Sequence, residues 1–161
     1  MKDVKLFLTD VDGCLTDGVM YYSANGDELK RFCVYDGMGM VLLREKGIKC
    51  GILTSETIDI VVRRAKKLNL DYLYMGVGRN KKQTKLDAAK EICAEMEIGL
   101  DEVCYVGDDI NDIDLLSEVG LAACPPNAMP AVKALPGILV LEHKGGDGAI
   151  RELCDKILGD K

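Results

Sequence analysis

Six short apolar runs, at 4–9, 48–54, 72–76, 102–107, 120–124 and 137–141, alternate along this chain with segments of helical spacing. No other feature limits the fold so strongly. Near-continuous apolar runs of strand length belong to strands buried on both faces, and intervening helices join such strands in parallel. Helices are expected at 38–46, 57–69, 82–97, 110–118, 128–134 and 147–158. In "TIDIVVRRAKKLNL", for example, Ile58, Val61, Val62, Ala65 and Leu68 fall on one stripe. The alternation predicts a Rossmann-like α/β fold, a parallel sheet with helices on both faces. The 161 residues make one domain over 1–161, with no repeat, linker or low-complexity tract to mark a second.

One segment breaks the alternation. "GVMYYSANGDELKRFCVYDG", 18–37, has two alternating runs around Asn25-Gly26-Asp27, a hairpin signal. Inserted after strand one, a hairpin lies at the carboxyl end of the sheet, where open α/β folds bind ligands. It is placed to cover a site.

Composition removes several function classes. The chain is 48% apolar and aliphatic, with no Trp and two Phe, which suits a packed core. A net charge of −6 argues against nucleic acid or an anionic membrane as the main partner. There is no secretory signal pattern and no apolar run near 18 residues, so a cytoplasmic protein is expected. The seven cysteines are scattered through apolar segments without a CxxC pair, as for reduced, mostly buried thiols. The lone His143 reads as a loop residue near a C-terminal turn.

Acidic residues gather where the apolar runs end. Asp10 and Asp12 close strand one, Thr54, Ser55 and Glu56 follow strand two, and "YVGDDINDIDLL" puts Asp108, Asp109, Asn111 and Asp112 after the fourth. Alone, an Asp-x-Asp-Gly is a turn and "GDDIND" a helix cap. In a parallel sheet, however, these ends converge on one edge. Carboxylates brought together there repel unless a cation sits among them, and hard oxygen ligands favour Mg²⁺.

Taken in order, "FLTDVDGCLTDG", "ILTS", a lysine in "GRNKKQTKLDAAKEI" and "YVGDDINDIDLL" resemble the four motifs of the haloacid dehalogenase superfamily of phosphohydrolases. The likeness continues through "GLAACPPNAMPAVKALPGILV" and so spans nearly the whole chain. It implies that Asp10 is a nucleophile forming an aspartyl-phosphate, that Asp12 is its general acid and base, and that Thr54 and Ser55 hold phosphoryl oxygens. It also implies Mg²⁺ bound by Asp10, the Asp12 carbonyl and Asp108, with Asp109 and Asp112 ordering the cluster. Of Lys81, Lys82 and Lys85, the resemblance selects Lys85, which opens a "KLxA" helix start 23 residues before "GDD".

No cap domain is expected. "DVDGCLTDG", the hairpin, "VYDGMGMVLLREKGI" and "GGDGAIRELCDKIL" resemble the capless tetrameric sugar-acid phosphatases of this superfamily, whose hairpins assemble a homotetramer with active sites at subunit interfaces. Substrate contacts implied by that group are Asp12, Val34, Asp36 and Gly37. Ser55, Glu56, Arg64 and Lys67 complete them, with Glu56 and Lys67 expected on one helical face. Members acting on the eight-carbon 3-deoxy-D-manno-octulosonate 8-phosphate (KDO 8-phosphate) typically read "TGR" where this chain reads "TSE". The acidic Glu56 instead resembles members acting on the nine-carbon 2-keto-3-deoxy-D-glycero-D-galacto-nononate 9-phosphate (KDN 9-phosphate). The expected substrate is therefore the nine-carbon ester, as in KDN and sialic acid biosynthesis, with the eight-carbon ester as alternative. A receiver domain shares the residue types but puts its acceptor Asp on a middle strand, where this chain has "ILTSE".

Overall fold

A computed structural model describes residues 3–26 and 28–159. The parallel strands are β1 (Leu6–Thr9), β4 (Lys49–Thr54), β5 (Tyr72–Met75), β6 (Val103–Val106), β7 (Leu121–Cys124) and β8 (Leu139–Val140), and the hairpin supplies β2 (Tyr21–Tyr22) and β3 (Glu28–Leu29). The helices are α1 (Val34–Glu45), α2 (Asp59–Lys67), α3 (Lys85–Met96), α4 (Ile113–Leu116), α5 (Pro130–Lys133) and α6 (Ala149–Leu158).

The six-stranded sheet runs β5-β4-β1-β6-β7-β8, every pair parallel. Its order reverses at β1, so the crevice beyond the carboxyl ends of β1 and β6 is the switch point at which such sheets bind ligands. Alternation along β1 divides the core. Phe7 faces α1, α2 and α6, packing with Met40, Leu43, Val61 and Leu153, while Leu6 and Leu8 face α3, α4 and α5 with Ala88, Ile92, Leu115 and Val132. Each of these side chains is buried, as a strand covered on both sides requires. Among the described residues no helix is long and apolar enough to cross a membrane.

The apolar runs all appear as strands, shortened by up to three residues at the edge strand β8. The helices differ more. α1 begins at Val34 rather than 38, so Val34, Asp36 and Gly37 lie in its first turns and not in the hairpin exit. The glycines there mark close packing: a Cβ on Gly39 would come within 3.0 Å of Cys154 on α6. α2 begins at Asp59 after an extended Ile58, so Glu56 precedes the helix and shares no face with Lys67. The segment 110–118 divides into a tight turn over Ile110–Asp112 and the short α4. The hairpin forms, with Gly26 in left-handed conformation; Asp27 of its turn lies outside the described residues.

Six of the cysteines are buried and Cys33 is partly so, and all seven are free thiols.

Candidate active site

The chain leaves β1 at Asp10 and turns back over residues 11–15, closed by the Thr16 N–H donating to the Val11 carbonyl at 3.0 Å. Gly13 makes this turn possible. Its φ is +85°, and a Cβ there would lie 2.0 Å from Asp108 Oδ2. The turn thus brings the first and fourth strand ends into contact, with one oxygen of each of Asp10, Asp108 and Asp112 lying within 4.8 Å of the others.

Lys85 is the cation among them. Thr84 caps α3 by accepting from the Asp87 N–H at 3.0 Å, while its own N–H donates to Asp87 Oδ2. That box starts the helix at Lys85 and sends its side chain inward, where Nζ lies 2.8 Å from Asp10 Oδ2 and 2.7 Å from Asp112 Oδ1. Lys81 and Lys82 are exposed. Asp112 is fully used by the protein: Oδ1 also accepts from the Tyr105 hydroxyl at 2.5 Å, and Oδ2 accepts from the N–H groups of Asp108 and Asp109. It is therefore a strut that holds Lys85 and the 108–109 backbone. Asp109 turns to the Ile110 N–H at 2.7 Å. Among the described residues the Asp108 carboxylate, by contrast, accepts only from the Cys14 thiol, at 3.8 Å.

One buried ammonium cannot satisfy three carboxylates. Burial, together with the charge of Asp112, pushes the Asp10 carboxyl up to about 7 against the pull of Lys85. Burial beside Asp10 and Asp112 pushes Asp108 up to about 8. Lys85 is held above the ordinary lysine range because its two acidic partners outweigh its own desolvation. The deficit fits a divalent cation. Asp10 and Asp108 offer hard carboxylate oxygens close together, the chemistry that holds Mg²⁺.

This has a measurable consequence. Both carboxyls titrate above their unfolded value of 3.8, so the folded state binds more protons and loses stability as pH rises towards 7 and 8. Metal-free protein should melt at least about 5 °C lower at pH 8 than at pH 6. Saturating Mg²⁺ should raise the melting temperature more at pH 8, because a ligating carboxylate must be deprotonated. Thermal scans with and without chelator check both; a flat metal-free profile would contradict the assignment.

Asp10 and Asp108 form one wall of a cavity of about 250 Å³ that Asp12, Thr54, Ser55, Glu56 and Asn111 also line. Thr54 is buried, and its hydroxyl oxygen accepts from the Glu56 N–H at 3.2 Å, which folds the segment after β4 over the cavity. Asp12 points into the opening and pairs with Lys30 of the hairpin.

The remaining expected contacts are not brought to this cavity by the chain itself. Val34 and Lys67 are exposed elsewhere. Arg64 lies over the Phe32 ring, 5.2 Å from its centroid, and donates to the Cys33 carbonyl at 3.0 Å, while Gly37 packs beneath it. Asp36 is fully buried, and its Oδ1 accepts from the Arg151 N–H at 2.9 Å, tying α1 to the start of α6. His143 pairs with Glu152 away from the cavity, in keeping with a loop role.

Sequence reasoning passed over several working residues. Lys30 is one. Asn127 is another: its amide donates to the Gly13 carbonyl at 2.9 Å, and its carbonyl accepts from the Gly145 N–H at 2.9 Å. Gly145 in turn lies so near the turn that a Cβ on it would be 1.9 Å from the Gly13 oxygen. The "GGDG" segment therefore clamps the turn after β1 of its own chain. Only the glycine pair itself hinted at such an approach.

Carboxylates gathered around a buried lysine at a hard-cation site suit the hydrolysis of a phosphoric monoester. Known proteins agree. Residues 79–153 match the haloacid dehalogenase-like hydrolase family. The 3-deoxy-D-manno-octulosonate 8-phosphate phosphatase of Yersinia pestis is 36% identical over 157 residues, 97% of this chain and 80% of that one. The same phosphatase from Moraxella catarrhalis, in a crystal structure with magnesium, phosphate and KDO, superposes with a TM-score of 0.91 at 35% identity, over 99% of this chain and 88% of that one. A cobalt-bound form from Haemophilus influenzae gives a TM-score of 0.88 at 32% identity, covering 98% and 89%. This chain belongs to the haloacid dehalogenase-like hydrolases and is a phosphoric monoester hydrolase of the capless type.

Proposed function

We propose that the chain hydrolyses the phosphate ester of a 2-keto-3-deoxy sugar acid through an aspartyl-phosphate on Asp10, with Mg²⁺ held by Asp10, Asp108 and the Asp12 carbonyl. The observation that carries this reading is the meeting of Asp10, Asp108 and Asp112 around a single lysine at the switch point of the sheet. When bound, the cation supplies charge neutralisation where the phosphoryl group meets the carboxylates.

Asp10, oriented by Lys85 and by the Val11 N–H at 2.7 Å, attacks phosphorus. The ester P–O bond breaks, and Asp12 gives its proton to the departing alkoxide, a poor leaving group that needs one. Water then attacks the aspartyl-phosphate, its proton passes to Asp12, and Asp10 regains its carboxylate. Thr54 and Ser55 hold the phosphoryl oxygens meanwhile.

For the substrate, KDO 8-phosphate is the better supported choice. The expectation of a nine-carbon ester gives way here, because the relatives that cover the chain act on the eight-carbon one. The nine-carbon ester stays as a second reading on one observation: Glu56 lines the cavity and can accept hydrogen bonds from sugar hydroxyls. About 250 Å³ takes a phosphoryl group and a few carbons, so the rest of a sugar acid needs another wall. Tyr22 and Leu29 of the hairpin and Val34, Tyr35 and Met38 of α1 are exposed apolar side chains of the kind a second copy would cover. We take the assembly to be a homotetramer in which Val34 and Lys67 face a neighbouring cavity. Gly37 and Arg64 support that surface from behind, and Asp36 anchors it through α6.

Parallel assays of phosphate release test the substrate. Selectivity for the eight-carbon ester of at least about tenfold in kcat/KM is expected, a difference of one well-placed contact. Reversed selectivity would install the nine-carbon reading, and failure on both would remove the sugar-acid assignment.

A further inference from the structure

Lys30 follows β3 at the root of the hairpin. Its neighbours on the strands, Tyr21, Tyr22 and Leu29, are exposed, yet its own side chain has 0% exposure. Nζ lies 2.6 Å from Asp12 Oδ1 and 3.5 Å from Glu28 Oε1, which is buried and makes no hydrogen bond among the described residues. Enclosing an ammonium is costly unless its partners compensate, so a lysine at this place is there for its contacts. A bridge between Thr16 and Phe32 fastens the same stretch of hairpin to the turn after β1.

The two oxygens of Asp12 are thereby made unequal. Oδ1 accepts from Lys30 and, at 3.4 Å, from the Thr16 hydroxyl. Among the described residues nothing donates to Oδ2. An ammonium can only donate, so the oxygen it engages stays an acceptor and the proton travels on the other. We infer that Lys30 is a positioning residue for Asp12, engaging Oδ1 so that Oδ2 is the oxygen presented to the leaving group and to the attacking water. In the first half-reaction the ester P–O bond breaks, its electron pair stays on the departing oxygen, and the proton on Oδ2 goes to it. In the second, water attacks phosphorus, the bond to Asp10 breaks with its electron pair returning to that carboxylate, and the water proton goes to Oδ2. The hairpin is thus part of the proton-transfer apparatus as well as a cover. The inference rests on the proposed role of Asp12.

p-Nitrophenyl phosphate separates the steps, since nitrophenolate leaves without a proton while hydrolysis of the phospho-enzyme still needs the base. Lys30→Met should form the phospho-enzyme and then stall, giving a burst of about one nitrophenolate per active site before a slow phase. On an alkyl phosphate its kcat should fall about 10- to 100-fold with KM nearly unchanged, as for a displaced catalytic group. Lys30→Arg, which still donates to Oδ1, should recover most of the rate and keeps the test open should the methionine variant fail to fold. Asp12→Asn is the reference. If Asp12→Asn impairs turnover while Lys30→Met matches the wild type, the inference falls and the role of Asp12 stands. If Asp12→Asn has no effect, the underlying reading fails. A folded Lys30→Met without a burst, or with the defect in KM alone, would also overturn the inference, as would Lys30→Arg behaving like methionine.

Discussion

Asp10→Asn is expected to remove turnover, lowering phosphate release by at least about four orders of magnitude, because an amide cannot form the acyl phosphate. The replacement is nearly isosteric. Its carbonyl can still accept from the Val11 N–H, as Asp10 Oδ1 does, so the turn after β1 should survive. The loss would therefore be chemical. The same substitution takes one charge from a cluster whose carboxyls are already pushed up by burial and by each other. Metal-free Asp10→Asn should consequently melt no lower than the wild type at pH 8, while its stabilisation by Mg²⁺ shrinks. Phosphate-release assays and paired melts measure both. Activity within about a hundredfold of the wild type would remove Asp10 as nucleophile.

Lys85→Met is the second large effect, and it combines stability with catalysis. Methionine fills most of the lysine volume but leaves Asp10 and Asp112 facing each other with no ammonium between them. Breaking a buried pair in this way costs about 3 kcal/mol, which for a domain of this size is a fall of roughly 6–12 °C in Tm. The sign with pH follows from the same cluster. At pH 6 Asp10 and Asp108 relieve the repulsion by binding protons, and at pH 8 they do so less. The destabilisation should therefore be larger at pH 8. Turnover should fall about a thousandfold, since the nucleophile loses its orientation and its counter-charge. A variant that melts like the wild type at pH 8 would show that Lys85 does not carry the electrostatics of the site.

These effects depend on residues that differed in how plainly the sequence exposed them. Asp10, Asp12, Thr54 and Asp108 were legible because each ends an apolar run, and a parallel sheet gathers such ends by its topology. Lys85 was legible through its motif, with Thr84 and Asp87 as the local cause of the helix start. Boundaries were less visible. Gly37 read as part of the hairpin segment, whereas it lies in α1 against Arg64 and Leu68 while Gly39 lets the same helix approach α6, and no local signal separates those uses. Glu56 read as part of a helix, because the pattern of "TIDIVVRRAKK" does not state where its first turn closes.

Periodicity and strand-end chemistry by themselves determined the layered α/β architecture, the edge at which the site forms and the identity of the acids that meet there. The tertiary structure alone decided which distant residues meet at that edge. Lys30 reaches Asp12 across 18 residues and Asn127 reaches Gly13 across 114, and in each case both partners are ordinary residues in their own segments. Local sequence records the periodicity of burial and the cost of special backbone conformations. A contact between distant segments leaves no such trace, because it exists only once the chain has closed on itself.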